Sequence, residues 1–159
     1  MRLGGNGDLG GSIGRGAGAV LACLMLAAFG AVPSLAAKRR QQVTIEVHFH
    51  RVGPGGTEIT EKGTATGTYP GPARTRLVFS GNKMTGNFAL HATGGTVKGR
   101  INAHVVGSSA RPLVHYAGTA TITGGTGRFR TASGTLEMTG TMRRINNALT
   151  TKTTGSISL

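Results

Sequence analysis

The sequence predicts an all-β fold, an eight-stranded antiparallel β-barrel preceded by an N-terminal signal helix. Three observations predict it. No long 3.6-residue periodicity runs through residues 41–159; short alternating runs separated by turn residues take its place. Those runs number about eight, the count at which a sheet closes with an interior that side chains fill or that holds one small ligand. Glycines fall inside the runs (Gly63, Gly67, Gly86, Gly99, Gly118, Gly140), as the kinks and bulges of a tightly curved sheet require. Closure also removes the strand edges that would otherwise invite aggregation.

The first element is a leader. Residues 1–16 carry Arg2 and Arg15, Ala17 to Val32 is uncharged and mostly apolar, and Pro33-Ser34-Leu35-Ala36 offers small residues before a cut after Ala36. A charged start, apolar middle and small-residue end make a secretory signal peptide. The expected organisation is a signal peptide over residues 1–36, a basic linker over 37–40 and one barrel domain over 41–159. The expected location is secreted, periplasmic or cell-envelope. A rival reading keeps the segment as an uncleaved anchor, because Gly16 to Ala37 reaches the ~20 residues a bilayer span needs. Lys38-Arg39-Arg40 would then favour the cytoplasmic side; membrane contact is expected only in that case. Val20-Leu21-Ala22-Cys23 loosely resembles a lipobox, but Arg15 stands too close before it. Cys23 is the only cysteine, so the cleaved chain has neither disulfides nor thiol chemistry.

The strands follow in order. Val43, Ile45, Val47 and Phe49 alternate with Thr44, Glu46, His48 and His50, and Gly53-Pro54-Gly55-Gly56 breaks the run. Glu58 to Thr68 is the second strand, closed by Tyr69-Pro70-Gly71-Pro72. Arg74 to Ser80 turns tightly at Gly81-Asn82 into Lys83 to His91. Thr96 to Val106 puts Val97, Ile101, Ala103 and Val105 on one face. Leu113 to Thr123, Gly134 to Met142 and Leu149 to Leu159 complete the set.

With the strands placed, Thr121-Ile-Thr-Gly-Gly-Thr-Gly-Arg-Phe-Arg-Thr-Ala-Ser-Gly134 resembles the signature of the allene oxide cyclase and dirigent-like barrels, and the chain is most similar to their secreted bacterial members of unassigned function. The resemblance implies an eight-stranded antiparallel barrel with an apolar lumen. The residues themselves read as architecture. Gly124, Gly125 and Gly127 permit positive φ at a sharp corner around Thr126, Phe129 folds back as a plug at one mouth, and Gly134 starts the next strand. A phosphate loop would need a helix there instead.

Chemistry is sparse. After residue 36 the chain has no Asp and no Cys, and its only carboxylates are Glu46, Glu58, Glu61 and Glu137. No Gly-x-Ser-x-Gly elbow occurs after residue 36, and no catalytic residue is carried over from the resemblance. Glu46, His48 and His50 share a strand face, but alternate residues lie nearly 7 Å apart, so the three do not converge on an ion; no metal or cofactor is expected. An enzyme would need a polar group in the lumen, and His115, Tyr116 and Glu137 are the residues to examine.

The net charge is +13, from 18 Lys and Arg against five Asp and Glu, and residues 1–36 hold only Arg2, Arg15 and Asp8 of these. Such a surface attracts polyanions. Paired i, i+2 cations at Arg74/Arg76, Lys98/Arg100 and Arg128/Arg130 lie on strand faces, and Arg143/Arg144 adds a cluster; Lys98, Arg100, Arg143 and Arg144 are taken as anion-facing. Specific nucleic-acid binding would require interleaved aromatics; only Phe129, between Arg128 and Arg130, qualifies, and its motif position assigns it a structural role. The expected function is a non-enzymatic binding or structural module with a small apolar ligand in the lumen. The alternatives are a cyclase- or dirigent-like enzyme and an electrostatic binder of anionic cell-surface polymers.

Overall fold

Strict alternation writes the sheet. In the computed structural model, which describes residues 39–53, 55–107, 112–146 and 148–159, strand β1 (Arg40–Arg51) buries Val43, Ile45, Val47 and Phe49, exposes Thr44 and His48 between them and leaves Glu46 half-buried. Seven more strands repeat the pattern: β2 (Glu58–Gly67), β3 (Gly71–Ser80), β4 (Lys83–Ala92), β5 (Gly95–Val106), β6 (Leu113–Gly125), β7 (Gly134–Arg143) and β8 (Ala148–Ser158). Each pairs antiparallel with the next, and β8 returns to β1, with Val47 opposite Thr151. The sheet is a closed up-and-down barrel, so none of its strands is an edge. The expected leader segment, the basic residue Lys38 and Arg111 lie outside the described residues.

Several boundaries differ from the sequence reading, and two of the differences have a clear cause. Strand β3 begins at Gly71, with Pro72 opposite Thr64; a proline at the start of a strand forfeits little of the ladder. Strand β6 runs on to Gly125 through a register shift at Lys98/Gly99, where a bulge adds twist.

The strand glycines serve packing more than kinking. Phe49 lies directly opposite Gly63, Leu77 opposite Gly86, Phe88 opposite Gly99 and Tyr116 opposite Gly140. A Cβ on those glycines would stand 2.9, 2.9, 2.5 and 2.7 Å from the facing side chain. A large inward residue therefore folds over a glycine on the neighbouring strand, and the lumen fills by these cross-strand pairs. Fully burying side chains of this size is worth ~1.5–3 kcal/mol each, which offsets the entropic cost of glycine in a strand.

Candidate functional site at the open end of the barrel

One end of the barrel is sealed. After β6 the chain makes a short 3-10 turn, Gly127–Phe129, and Phe129 is wholly buried. Its ring meets that of Tyr69 edge-on, with centroids 5.1 Å apart, and the Arg128 guanidinium sits 4.8 Å from the Phe129 ring centre and 5.3 Å from that of Tyr69. Tyr69 Oη donates to Gln41 Oε1 at 2.7 Å. Burial pushes the Tyr69 phenol pKa up, and the nearby Arg128 and Arg39 charges partly oppose that.

The glycines of this corner have separate causes. Gly124 (φ 132°) and Gly127 (φ 58°) adopt positive φ. Gly125 does not, against the expectation; there a Cβ would lie 1.8 Å from the Thr96 carbonyl oxygen. The corner is sewn to the β4–β5 turn by Arg128 N–H to Gly94 O (3.0 Å) and Thr126 N–H to Thr96 O (2.8 Å), while Thr96 N–H bonds Thr126 Oγ1 (3.0 Å). Gly134 starts β7, next to the bridge between Ser133 and Ser158. These residues hold backbone against backbone, and none of them presents a reacting group.

The middle of the lumen is nearly full. Its cavity measures about 60 Å³ and is walled by residues such as Ile45, Leu77, Met84, Ile122 and Met138. That is far below the ~300–1,000 Å³ of a ligand pocket. Space opens at the other end. A bowl of about 400 Å³ lies where β1, β3, β5 and β7 end. Ile59, Phe79, Met84, Val114 and Met142 give it an apolar wall; Tyr116 also lines it, and Arg51 and Arg144 stand among its lining residues as cations.

Two polar groups lie buried near this bowl. Tyr116 is buried, and its hydroxyl has no hydrogen-bond partner among the described residues. The Thr151 hydroxyl beside it slightly favours the ionised phenol, without closing a bond of normal geometry. Burial raises the Tyr116 pKa, and the neighbouring Glu61 carboxyl raises it further. Glu61 is the only fully covered carboxylate among the described residues, and both its oxygens are unpartnered there. Burial lifts its pKa from 4.5 to about 7.

The three residues singled out for the lumen therefore separate. Tyr116 points inward, whereas His115 and Glu137 are exposed on the outer face, which corrects the expectation for both. The pleat explains it: Val114 and Tyr116 face in, so His115 between them cannot, and Leu136 and Met138 fix Glu137 in the same way. Glu61 is not among the residues the sequence reading places in the lumen, although its parity with buried Ile59 marks it as inward. The cations also divide. Lys98 and Arg100 lie together on the outer wall beside Arg74 and Arg76; Arg144 lines the bowl, and Arg143 is exposed at the end of β7. His48 and Glu46 touch at 3.3 Å, and among the described residues no group of three metal-ligating side chains assembles. None of the described helices is long and apolar enough to cross a membrane.

No protein-family model matches the chain, and no curated protein and no solved structure is significantly similar to it.

Proposed function

We propose that this barrel is a binding module that takes a small amphipathic molecule, an apolar body with an anionic head, into the bowl at its open end. The observation that carries this reading is the asymmetry of the two ends. One is sealed by Phe129, and the other combines an apolar wall, a phenol unpartnered among the described residues and two arginines in a space of ligand size. An apolar chain would lie on Ile59, Phe79 and Met142, its head facing Arg51 and Arg144, with Tyr116 free to donate a hydrogen bond. The apolar-ligand expectation thus moves from the packed centre of the lumen to its mouth. The allene oxide cyclase/dirigent-like kinship and export through the leader belong to the same proposal, since an exported barrel meets such molecules outside the cytoplasm.

Decanoate and decanol titrated calorimetrically against the full chain test the proposal. Decanoate is expected to bind more tightly than decanol. Tyr116→Phe is expected to weaken it about fivefold, the worth of one hydrogen bond near 1 kcal/mol, and Arg51→Gln/Arg144→Gln to abolish its advantage over decanol. Equal binding of the two probes, or none, would contradict the reading.

A second reading, catalysis on the bound molecule, is supported by one observation: a buried carboxyl with a pKa of about 7 interacts electrostatically with the phenol that lines the bowl. Such a group can both take and return a proton at neutral pH. Deuterium uptake beside the carbonyl of 2-decanone, accelerated by the protein and lost in Glu61→Gln, is the expected signature. Uptake no faster than in buffer would exclude it for that substrate class.

A further inference from the structure

A second site lies on the outer wall, away from the bowl. Cross-strand register places Arg74 (β3), Ala89 (β4) and Lys98 (β5) side by side, and Arg76, Asn87 and Arg100 in the next outward row. The short Ala89 and Asn87 form the floor, and two cations stand on each bank. The result is an exterior trench of about 500 Å³ whose other lining residues include Thr60 and Thr123. Outward residues on one strand repeat every ~7 Å and β3 lies ~10 Å from β5, so the two cation pairs form successive rungs along one groove. All four cations are solvent-exposed. The acid in contact is Glu58, which pairs with Arg76.

We propose that this trench binds a linear acidic polysaccharide. Two rungs in line suit a polymer carrying repeated carboxylates better than a single small anion. Arginine forks grip carboxylates through paired hydrogen bonds. Asn87, Thr60 and Thr123 supply neutral donors and acceptors of the kind that meet sugar hydroxyls. Phe88 is the one aromatic among the lining residues and packs over Gly99 on the neighbouring strand; a single half-buried ring offers no run of platforms for successive bases, which disfavours nucleic acid. The site is separate from the bowl, so it stands or falls without the decanoate result.

The test compares binding of the full chain to polygalacturonate at low and moderate salt by surface plasmon resonance. Neutral dextran and a single-stranded oligonucleotide are run beside it. Two variants remove the same charge: Arg74→Gln/Lys98→Gln in the trench, and Arg130→Gln/Lys152→Gln outside it. Polygalacturonate is expected to bind and dextran not. The trench variant is expected to lose at least about tenfold in affinity, as the loss of charge-assisted hydrogen bonds implies, and the outside variant to lose less than about twofold. Binding should weaken with salt, since the contacts are exposed. Equal losses in both variants would reduce the effect to net charge and overturn the site, as would no loss in either. An oligonucleotide that binds more tightly than polygalacturonate, and depends equally on Arg74 and Lys98, would replace the polysaccharide with nucleic acid. Circular dichroism spectra of both variants matching the parent keep the comparison free of misfolding.

Discussion

Glu61 is the residue where stability and site chemistry meet. A buried carboxyl without a hydrogen-bond partner is disfavoured when charged, and its pKa rises from 4.5 to about 7 in the folded chain. The sign follows from which state holds the proton. Below pH 4.5 both folded and unfolded chains keep it, so the group costs nothing through ionisation. As the pH rises from 4.5 towards 7 the unfolded chain releases its proton first, and the folded state loses relative stability. The full penalty, roughly 3 kcal/mol, is in place above pH 7. Glu61→Gln removes the titration. Urea midpoints at pH 5 and pH 8 are therefore expected to fall less for the variant than for the parent, and parallel pH profiles would refute the assignment. At Tyr116 the reasoning concerns binding instead: its hydroxyl is unpartnered among the described residues, so Tyr116→Phe is expected to leave folding stability within ~1 kcal/mol of the parent in the same urea assay while weakening decanoate.

The corner between β6 and β7 shows how far an element can be understood from its sequence. Its glycines, the buried Phe129 and the turn that carries it are held by Gly94 in the β4–β5 turn, Thr96 at the start of β5 and Tyr69 in the β2–β3 connection. Phe129→Ala is expected to cost about 3–5 kcal/mol, read as a lower unfolding midpoint. Gly127→Ala is expected to cost upwards of 1 kcal/mol, since φ is 58° and a Cβ would stand 2.1 Å from the Gly94 carbonyl oxygen. A thermal shift near zero for either variant would contradict the account of this corner. Strand positions were legible where the buried face alternates cleanly, as in Val43 to Phe49. The reason for Gly125 was not, because it depends on Thr96, which lies 29 positions earlier in the chain and meets it only across the sheet. The same limit hid the partnership of Phe49 with Gly63 and of Tyr116 with Gly140: parity tells which face a side chain takes, while register tells what it covers.

At the scale of the whole molecule, closure makes the two ends unequal, and that inequality organises the functional reading. Connections at one end are knitted around Phe129; at the other end Arg51, Tyr116 and Arg144 stand around a bowl over a packed lumen. The bowl was not legible in the sequence because its lining comes from strands and loops far apart in the chain, and barrel tilt and register decide which ends converge. The exterior rungs were half legible: the i, i+2 pairs Arg74/Arg76 and Lys98/Arg100 are visible in the chain, but the strand order that sets them on either side of Ala89 and Asn87 is not. The measurement that tests the central claim most directly is a two-dimensional amide NMR titration of the full chain with decanoate. The account predicts shifts confined to the open end, around Arg51, Asn82, Val114, Tyr116 and Arg144, with the amides of Gly94, Thr126 and Phe129 unmoved. Shifts centred on the Phe129 end, or none at saturating decanoate, would contradict it.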